Sequence, residues 1–374
     1  MKTLPASLLL LAGICPAVLA ADPFADVQPA VPDAPAVRTS FGWRENLLFR
    51  REIYWLETAG IEDFDRTGNL YTRGSAGFEV QKRFATATKT LASVDYQGRL
   101  VYRDHVLDTA ADPMGMDAGQ WEYETHNAYA EFYNLLGSPG RFNLRAGRYY
   151  VPFGLNAQTD THGTLLQLSN DRLFGADRDW QLVAYGNATA HLDYLAGYVF
   201  GAGPDQKMDG QAGMAVGRLG LNSDFLYAHG LEGGLSAAYG QRLDPHAGGG
   251  ILNTWRAGAD VRKRIDSDLG PFTLTGEGAA GADDAEAVWS GLVQTDWLHP
   301  GRRWGVAAQY AYFNRGGTEF HAVAEQASFV LTRYFRNDIG NSTLHWIALA
   351  LEERLRSPEA GEDTLLALQY YRYW

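Results

Sequence analysis

Residues able to do covalent chemistry occur throughout the chain, but their spacing does not assemble them. The nine histidines (His105, His126, His162, His191, His229, His246, His299, His321 and His345) are scattered, with no HExxH or other close metal-ligand spacing. A serine hydrolase needs Ser, His and a carboxylate or amide in reach, together with an oxyanion site. Gly234-Leu235-Ser236-Ala237-Ala238 lacks the final glycine of a nucleophile elbow, and Arg73-Gly74-Ser75-Ala76-Gly77 lacks the first. The single cysteine, Cys15, lies in an apolar leader, so the exported chain is expected to carry no disulfide, Cys-ligated metal or thiol nucleophile. No catalytic residue, metal ligand or cofactor is assigned. A triad can still assemble from distant strands, so a barrel-borne lipid hydrolase stands as one alternative reading.

The charged residues point elsewhere, because they recur at every second position opposite apolar ones. From Ala92 to Tyr102 the even positions are Ala92, Val94, Tyr96, Gly98, Leu100 and Tyr102, and the odd ones include Asp95, Gln97 and Arg99. Gly74, Ala76, Phe78 and Val80 alternate with Arg73, Ser75 and Glu79 in the same way, and Trp255, Ala257, Ala259 and Val261 with Arg256, Asp260 and Arg262. Period 2 means strands with one apolar and one charged face. Charges lining a lumen set up a field that sorts solutes by size, dipole and sign. The pore-lining candidates are Arg73, Glu79, Asp95, Arg99, Arg103, Glu131, Arg145, Arg256, Asp260 and Arg262, with Asp179, Asp193, Glu232, Glu277 and Asp296 on the same face. The alternative is that neighbouring pairs neutralise one another and stiffen the wall.

The elements that must position these groups are read from the whole chain. Met1-Lys2-Thr3, the apolar run Leu8 to Ile14 and Val18-Leu19-Ala20 form an export signal with cleavage expected after Ala20. Lipidation at Cys15 is disfavoured by the bulky Ile14 before it. Residues 21–40 carry Pro23, Pro29, Pro32 and Pro35 and read as an extended periplasmic lead-in, with the barrel over residues 41–374. Dyad patterning then gives sixteen strands, at 43–57, 70–84, 90–107, 121–136, 141–152, 178–187, 191–202, 211–220, 231–242, 253–264, 272–280, 287–298, 303–315, 320–335, 342–356 and 364–374. With no helical pattern to cover so many apolar faces, a bilayer must cover them: the expected fold is an all-β transmembrane antiparallel barrel. Short connections alternate with long ones, which puts the long ones outside the cell; 221–230 is too long for a tight turn. Leu366, Leu368, Tyr370 and Trp374 share a face of the last segment, like the C-terminal strand signal of bacterial outer-membrane barrels, although Arg372 departs from it.

Arg141 to Asn156 carries Gly147-Arg148 and Pro152-Phe153-Gly154-Leu155, preceded by Ala128-Tyr129-Ala130-Glu131-Phe132. This run resembles the segment entering the third external loop of the phosphate-selective porin O/P family. The resemblance covers about thirty residues specifically and implies that residues 153–177 fold into the lumen as a constriction, carrying Asp160, His162, Asp171, Arg172 and Asp177; it also implies a homotrimer. Independently, this is the longest connection, and its middle, Gly163 to Ser169, is apolar enough to pack. An extracellular flap is the alternative. Phosphate specificity is not implied, since beyond the leader the lysines are only Lys82, Lys89, Lys207 and Lys263.

Composition agrees. Net charge is -12, against a nucleic-acid partner, and the 42 glycines in 374 residues exceed the usual ~7%. Most of the negative charge falls in the long connections, which solvation alone explains and which could also bind divalent cations bridging lipopolysaccharide. The function expected is passive diffusion of small hydrophilic solutes or ions across the bacterial outer membrane, mildly anion-favouring, with outer-membrane lipid and lipopolysaccharide as surroundings. Besides the hydrolase, a barrel scaffold for an envelope complex is the alternative; it would have no constriction loop.

Overall fold

The computed structural model describes residues 47–62, 69–86, 89–103, 120–137, 140–155, 165–166, 178–201, 212–243, 251–315, 323–338, 343–357 and 361–373. The expected leader, lead-in and most of loop 153–177, including Asp160, His162, Asp171, Arg172 and Asp177, lie outside them.

Sixteen strands follow in chain order. The first eight are β1 (Leu47–Glu62), β2 (Asn69–Ala85), β3 (Thr90–Arg103), β4 (Gln120–Phe132), β5 (Asn143–Tyr150), β6 (Arg178–Asn187), β7 (Leu192–Val199) and β8 (Gly213–Leu221). The second eight are β9 (Leu231–Leu243), β10 (Ile251–Ile265), β11 (Phe272–Asp283), β12 (Glu286–Leu298), β13 (Trp304–Arg315), β14 (Val323–Asp338), β15 (Thr343–Ser357) and β16 (Gly361–Tyr373). Each strand pairs antiparallel with its sequence neighbours, and β1 pairs with β16 to close the barrel, Tyr54 opposite Tyr373 and Ile61 opposite Leu366. Closure leaves no sheet edge at the ends of the chain.

Alternation decides which way each side chain points. Phe78, Val94, Leu100, Leu182, Leu219, Leu235, Tyr239, Val261, Val293 and Leu368 are exposed, and the register puts them all on the outside. Ser93, Asp95, Gln97, Asp179, Gln181, Arg218 and Gln369 are buried on the inside. An apolar exterior around a polar interior inverts the soluble arrangement and is the architecture of a bilayer-spanning barrel. Arg372 lies on the outer face and is exposed, two residues from the end of the chain.

Two local features were not visible in the alternation. A β-bulge between Gln97 and Gly98 of β3 and Asn127 and Thr125 of β4 leaves His126 without an opposite residue. Inward positions on β4 are therefore odd below the bulge (Asn127, Tyr129, Glu131) and even above it (Glu122, Glu124). The long turn after β8 contains a helix, α1 (Ser223–His229). Asn222 caps it by accepting from the Phe225 N–H at 3.0 Å, and Gly230 ends it in the left-handed conformation.

Candidate functional site: the lumen and its inner wall

The chain leaving β5 turns into the barrel. Val151 and Phe153 are buried with Val199, Met214, Val216, Ala238 and Ala279, inward residues of β7, β8, β9 and β11. The Phe153 ring lies against Gly258 of β10, so close that a Cβ there would come within 2.9 Å of it. The Gly154 N–H donates to Ser236 Oγ of β9 at 2.9 Å, and the Leu155 N–H to Glu277 Oε2 of β11 at 3.2 Å. Gly154 has φ 58, and a Cβ there would sit 2.4 Å from the Glu277 carboxylate. Farther along, Leu165 and Leu166 pack against Val330, Ala348, Ala350, Leu365 and Ala367, inward residues of β14, β15 and β16. Described parts of this connection thus touch two well-separated sectors of the inner wall.

The wall is less regular where the connection departs. β4 pairs with β5 only from Ala128 to Phe132, although β4 begins at Gln120. Above Ala128, side chains bridge the gap. Arg148 Nε donates to the Thr125 carbonyl at 3.1 Å and Arg178 Nε to Asn127 Oδ1 at 3.1 Å, while Arg178 stacks on Tyr150 at 4.0 Å. Gly147 has φ 130, and a Cβ would meet the Ala128 carbonyl at 2.2 Å, so this position admits only glycine. The sequence Gly147-Arg148 followed by Phe153-Gly154 is thereby accounted for residue by residue: close strand approach, gap closure, wall contact and loop anchor.

Inward charges form discrete clusters. Near the turn end, Arg145 bonds Glu131 at 2.6 Å and lies over the rings of Tyr149 (3.9 Å), Tyr185 (5.1 Å) and Tyr129 (5.2 Å). Tyr133 and Tyr185 donate to the same carboxylate. Arg218 forks onto Asp260 at 2.9 and 2.7 Å with Asp193 at 3.7 Å; Arg262 reaches Glu232 at 3.2 Å. At the loop end, Asp283 accepts from Arg256, Arg242 and Thr254. Arg354 pairs with Glu352 on β15 at 3.0 Å, and Arg99 with Glu124 across β3 and β4 at 2.5 Å. Such charge-assisted bonds are shorter and stronger than neutral ones and fix the guanidinium groups to carboxylates of the wall.

All of the pore-lining candidates occupy inward register positions. Their surroundings differ. Asp95, Glu131, Arg145, Arg256, Asp260 and Arg262 are buried, whereas Arg73, Glu79 and Arg99 are partly exposed; Arg103 is placed by register alone, opposite Arg73. Glu124 was missed because the His126 bulge reverses the parity that alternation assumes. Arg218, Arg242, Asp283, Glu352 and Arg354 do alternate inward, but nothing in the sequence said which would pair.

No family model matches the chain, and no curated protein matches it in sequence. Solved structures do. The high-pH structure of Pseudomonas putida OprB aligns at TM-score 0.58 and 11% identity, over 88% of this chain and 94% of that one. An anion-selective porin from Comamonas acidovorans aligns at 0.55 and 12%, over 88% and 100%. Salmonella typhi OmpF in complex with daunomycin aligns at 0.54 and 11%, over 86% and 97%. At these identities the likeness is one of fold: this is a porin-type sixteen-strand barrel.

Proposed function

We propose that the chain is an outer-membrane porin, a passive diffusion channel for small hydrophilic solutes or ions. The observation that carries this reading is the inverted wall: apolar outside, charged inside, closed through sixteen strands, a number at which barrels enclose an aqueous channel. The connection after β5 acts as the constriction, supported by the packing of Val151, Phe153, Leu165 and Leu166 on the inner wall and by the resemblance of residues 147–155 to the porin O/P family. A scaffold with an empty lumen fits those contacts poorly. A mild anion preference is expected from Arg73 and Arg99 on the wall, opposed by the acidic outer loops. An exported, signal-cleaved chain assembling as a homotrimer among lipopolysaccharide completes the reading; the trimer form of Vibrio cholerae OmpT, which aligns at TM-score 0.53, supports the oligomer.

Single-channel recording of refolded protein in a planar bilayer under a salt gradient tests it. Stepwise currents are expected, with a reversal potential a few millivolts to the anion side. A folded barrel that passes no current would overturn the reading and shift weight to a hydrolase or docking scaffold.

A further inference from the structure

Among the described outward side chains near the short turns, most are apolar. Ala92, Phe132, Leu144, Leu192 and Leu231 hold such positions on β3, β4, β5, β7 and β9, and β2 and β10 carry one lysine each, Lys82 and Lys263. The same end of β14 to β16 differs. Arg336 stands opposite His345, and His345 opposite Arg372, so three basic side chains lie side by side on three neighbouring strands. Arg333, opposite Ile347, completes the group.

Two departures from alternation build it. On β14 the odd positions face outward as far as Arg333; a bulge between Tyr334 and Arg336 then leaves Phe335 without an opposite residue and brings the even-numbered Arg336 to the outer face. On β16 the outward row Leu366, Leu368 and Tyr370 ends on Arg372. Arg336 and Arg372 are exposed, and the His345 ring lies against Phe335 at 4.7 Å and Tyr370 at 5.4 Å. Arg333 is held over the Trp304 ring at 4.9 Å and donates to the Arg303 carbonyl at 3.2 Å. Strands lie ~5 Å apart, which places Arg336 and Arg372 on backbones about 10 Å apart. Like charges so placed repel, and an anion between them offsets that cost. The outward carboxylates nearest in register, Glu57 of β1 opposite Tyr370 and Asp338 of β14, placed by register alone opposite Thr343, flank the group instead of interleaving with it. Towards mid-barrel the next outward residues are Leu331, Leu349 and Leu368, an apolar strip that adjoins the arginines.

From this we infer that the turn end of β14 to β16 is a docking site for an anionic glycerophospholipid, its phosphodiester held by Arg333, Arg336 and Arg372 and its acyl chains laid along Leu331, Leu349 and Leu368. The inference rests on the outer-membrane reading above, in which the short turns lie on the periplasmic side. Guanidinium groups suit phosphate because they present paired N–H donors as well as charge. A zwitterionic headgroup brings an ammonium to the same arginines and is repelled, whereas a soluble phosphate has no chain to cover the apolar strip.

Native mass spectrometry of the refolded protein, released from nanodiscs made of equal parts dioleoyl phosphatidylglycerol and dioleoyl phosphatidylethanolamine, tests it. The parent protein is expected to retain phosphatidylglycerol several-fold over phosphatidylethanolamine, and millimolar glycerol 3-phosphate is expected not to displace it. In the Arg336→Gln, Arg372→Gln double variant the ratio is expected to fall close to one, while Lys263→Gln, an outward change on β10, keeps it. If the double variant does not fold, the single changes make the same comparison: Arg336→Gln is expected to lose part of the preference and Arg336→Lys to keep most of it. Equal retention of the two lipids by the parent, an unchanged ratio in the glutamine variants, or displacement by glycerol 3-phosphate would overturn the site. An unchanged ratio together with an oligomer that falls apart in the double variant would assign this face to a second copy of the chain. A parent protein that does not insert into bilayers at all would remove the outer-membrane reading and the inference with it, whereas an inserted, conducting barrel indifferent to headgroup overturns the docking site alone.

Discussion

Arg145 shows how a side chain can face the lumen without serving it. Its charge is met by Glu131, its faces by three tyrosine rings, and the carboxylate is further held by Tyr133 and Tyr185. Removing one partner of such a pair leaves the other buried and uncompensated, a loss of about 3–5 kcal/mol. Arg145→Ala is therefore expected to lower the urea midpoint of the lipid-embedded barrel markedly. The Arg145→Ala, Glu131→Ala double variant should lose less than the sum of the single changes. Additive losses would show that the pair is not coupled. Arg99 differs through its partner, since Glu124 is 20% exposed where Glu131 is 4%: its replacement strands a better-hydrated carboxylate and should move ion preference more than stability.

At the scale of elements, the strands were legible because a bilayer-spanning wall imposes strict alternation, and all sixteen segments recur with ends shifted by a few residues. The register parity of the charged candidates was legible for the same reason. What alternation cannot carry is a change of phase: His126 reverses β4 and brings in Glu124, which sequence parity assigns to the outer face. Nor can it carry a helix as short as α1, whose seven residues hold too little pattern to separate from a turn. The anchor of the connection after β5 was half legible, in the run from Gly147 to Leu155, but its receiving surface at Gly258, Ser236 and Glu277 is assembled from distant strands. Phe153→Ala should loosen that anchor, raising single-channel conductance and current noise while leaving the strand content seen by circular dichroism unchanged. An identical conductance would mean that Phe153 does not hold the constriction.

For the whole molecule, the outer belt determines where the barrel resides. Leu235 is 68% exposed on the outer face of β9, far from the loop end that Gln241 approaches. A cation facing hydrocarbon costs ~2–4 kcal/mol at the bilayer midplane and little near the interface. Leu235→Arg is thus expected to destabilise the lipid-embedded protein by about 2 kcal/mol, and Gln241→Arg hardly at all, in parallel urea titrations. Equal effects would place the belt elsewhere.

The pairing of β1 with β16 also governs timing. Tyr54 finds its neighbour in Tyr373, so the first wall segment to be synthesised waits for the last before its outer row of N–H and C=O groups is satisfied. Until then the chain exposes two sticky margins, and a copy shortened before β16 would keep them for good. Such a fragment should stick to others of its kind, and a cell making this protein must chaperone almost the entire polypeptide to the membrane before any of it can close.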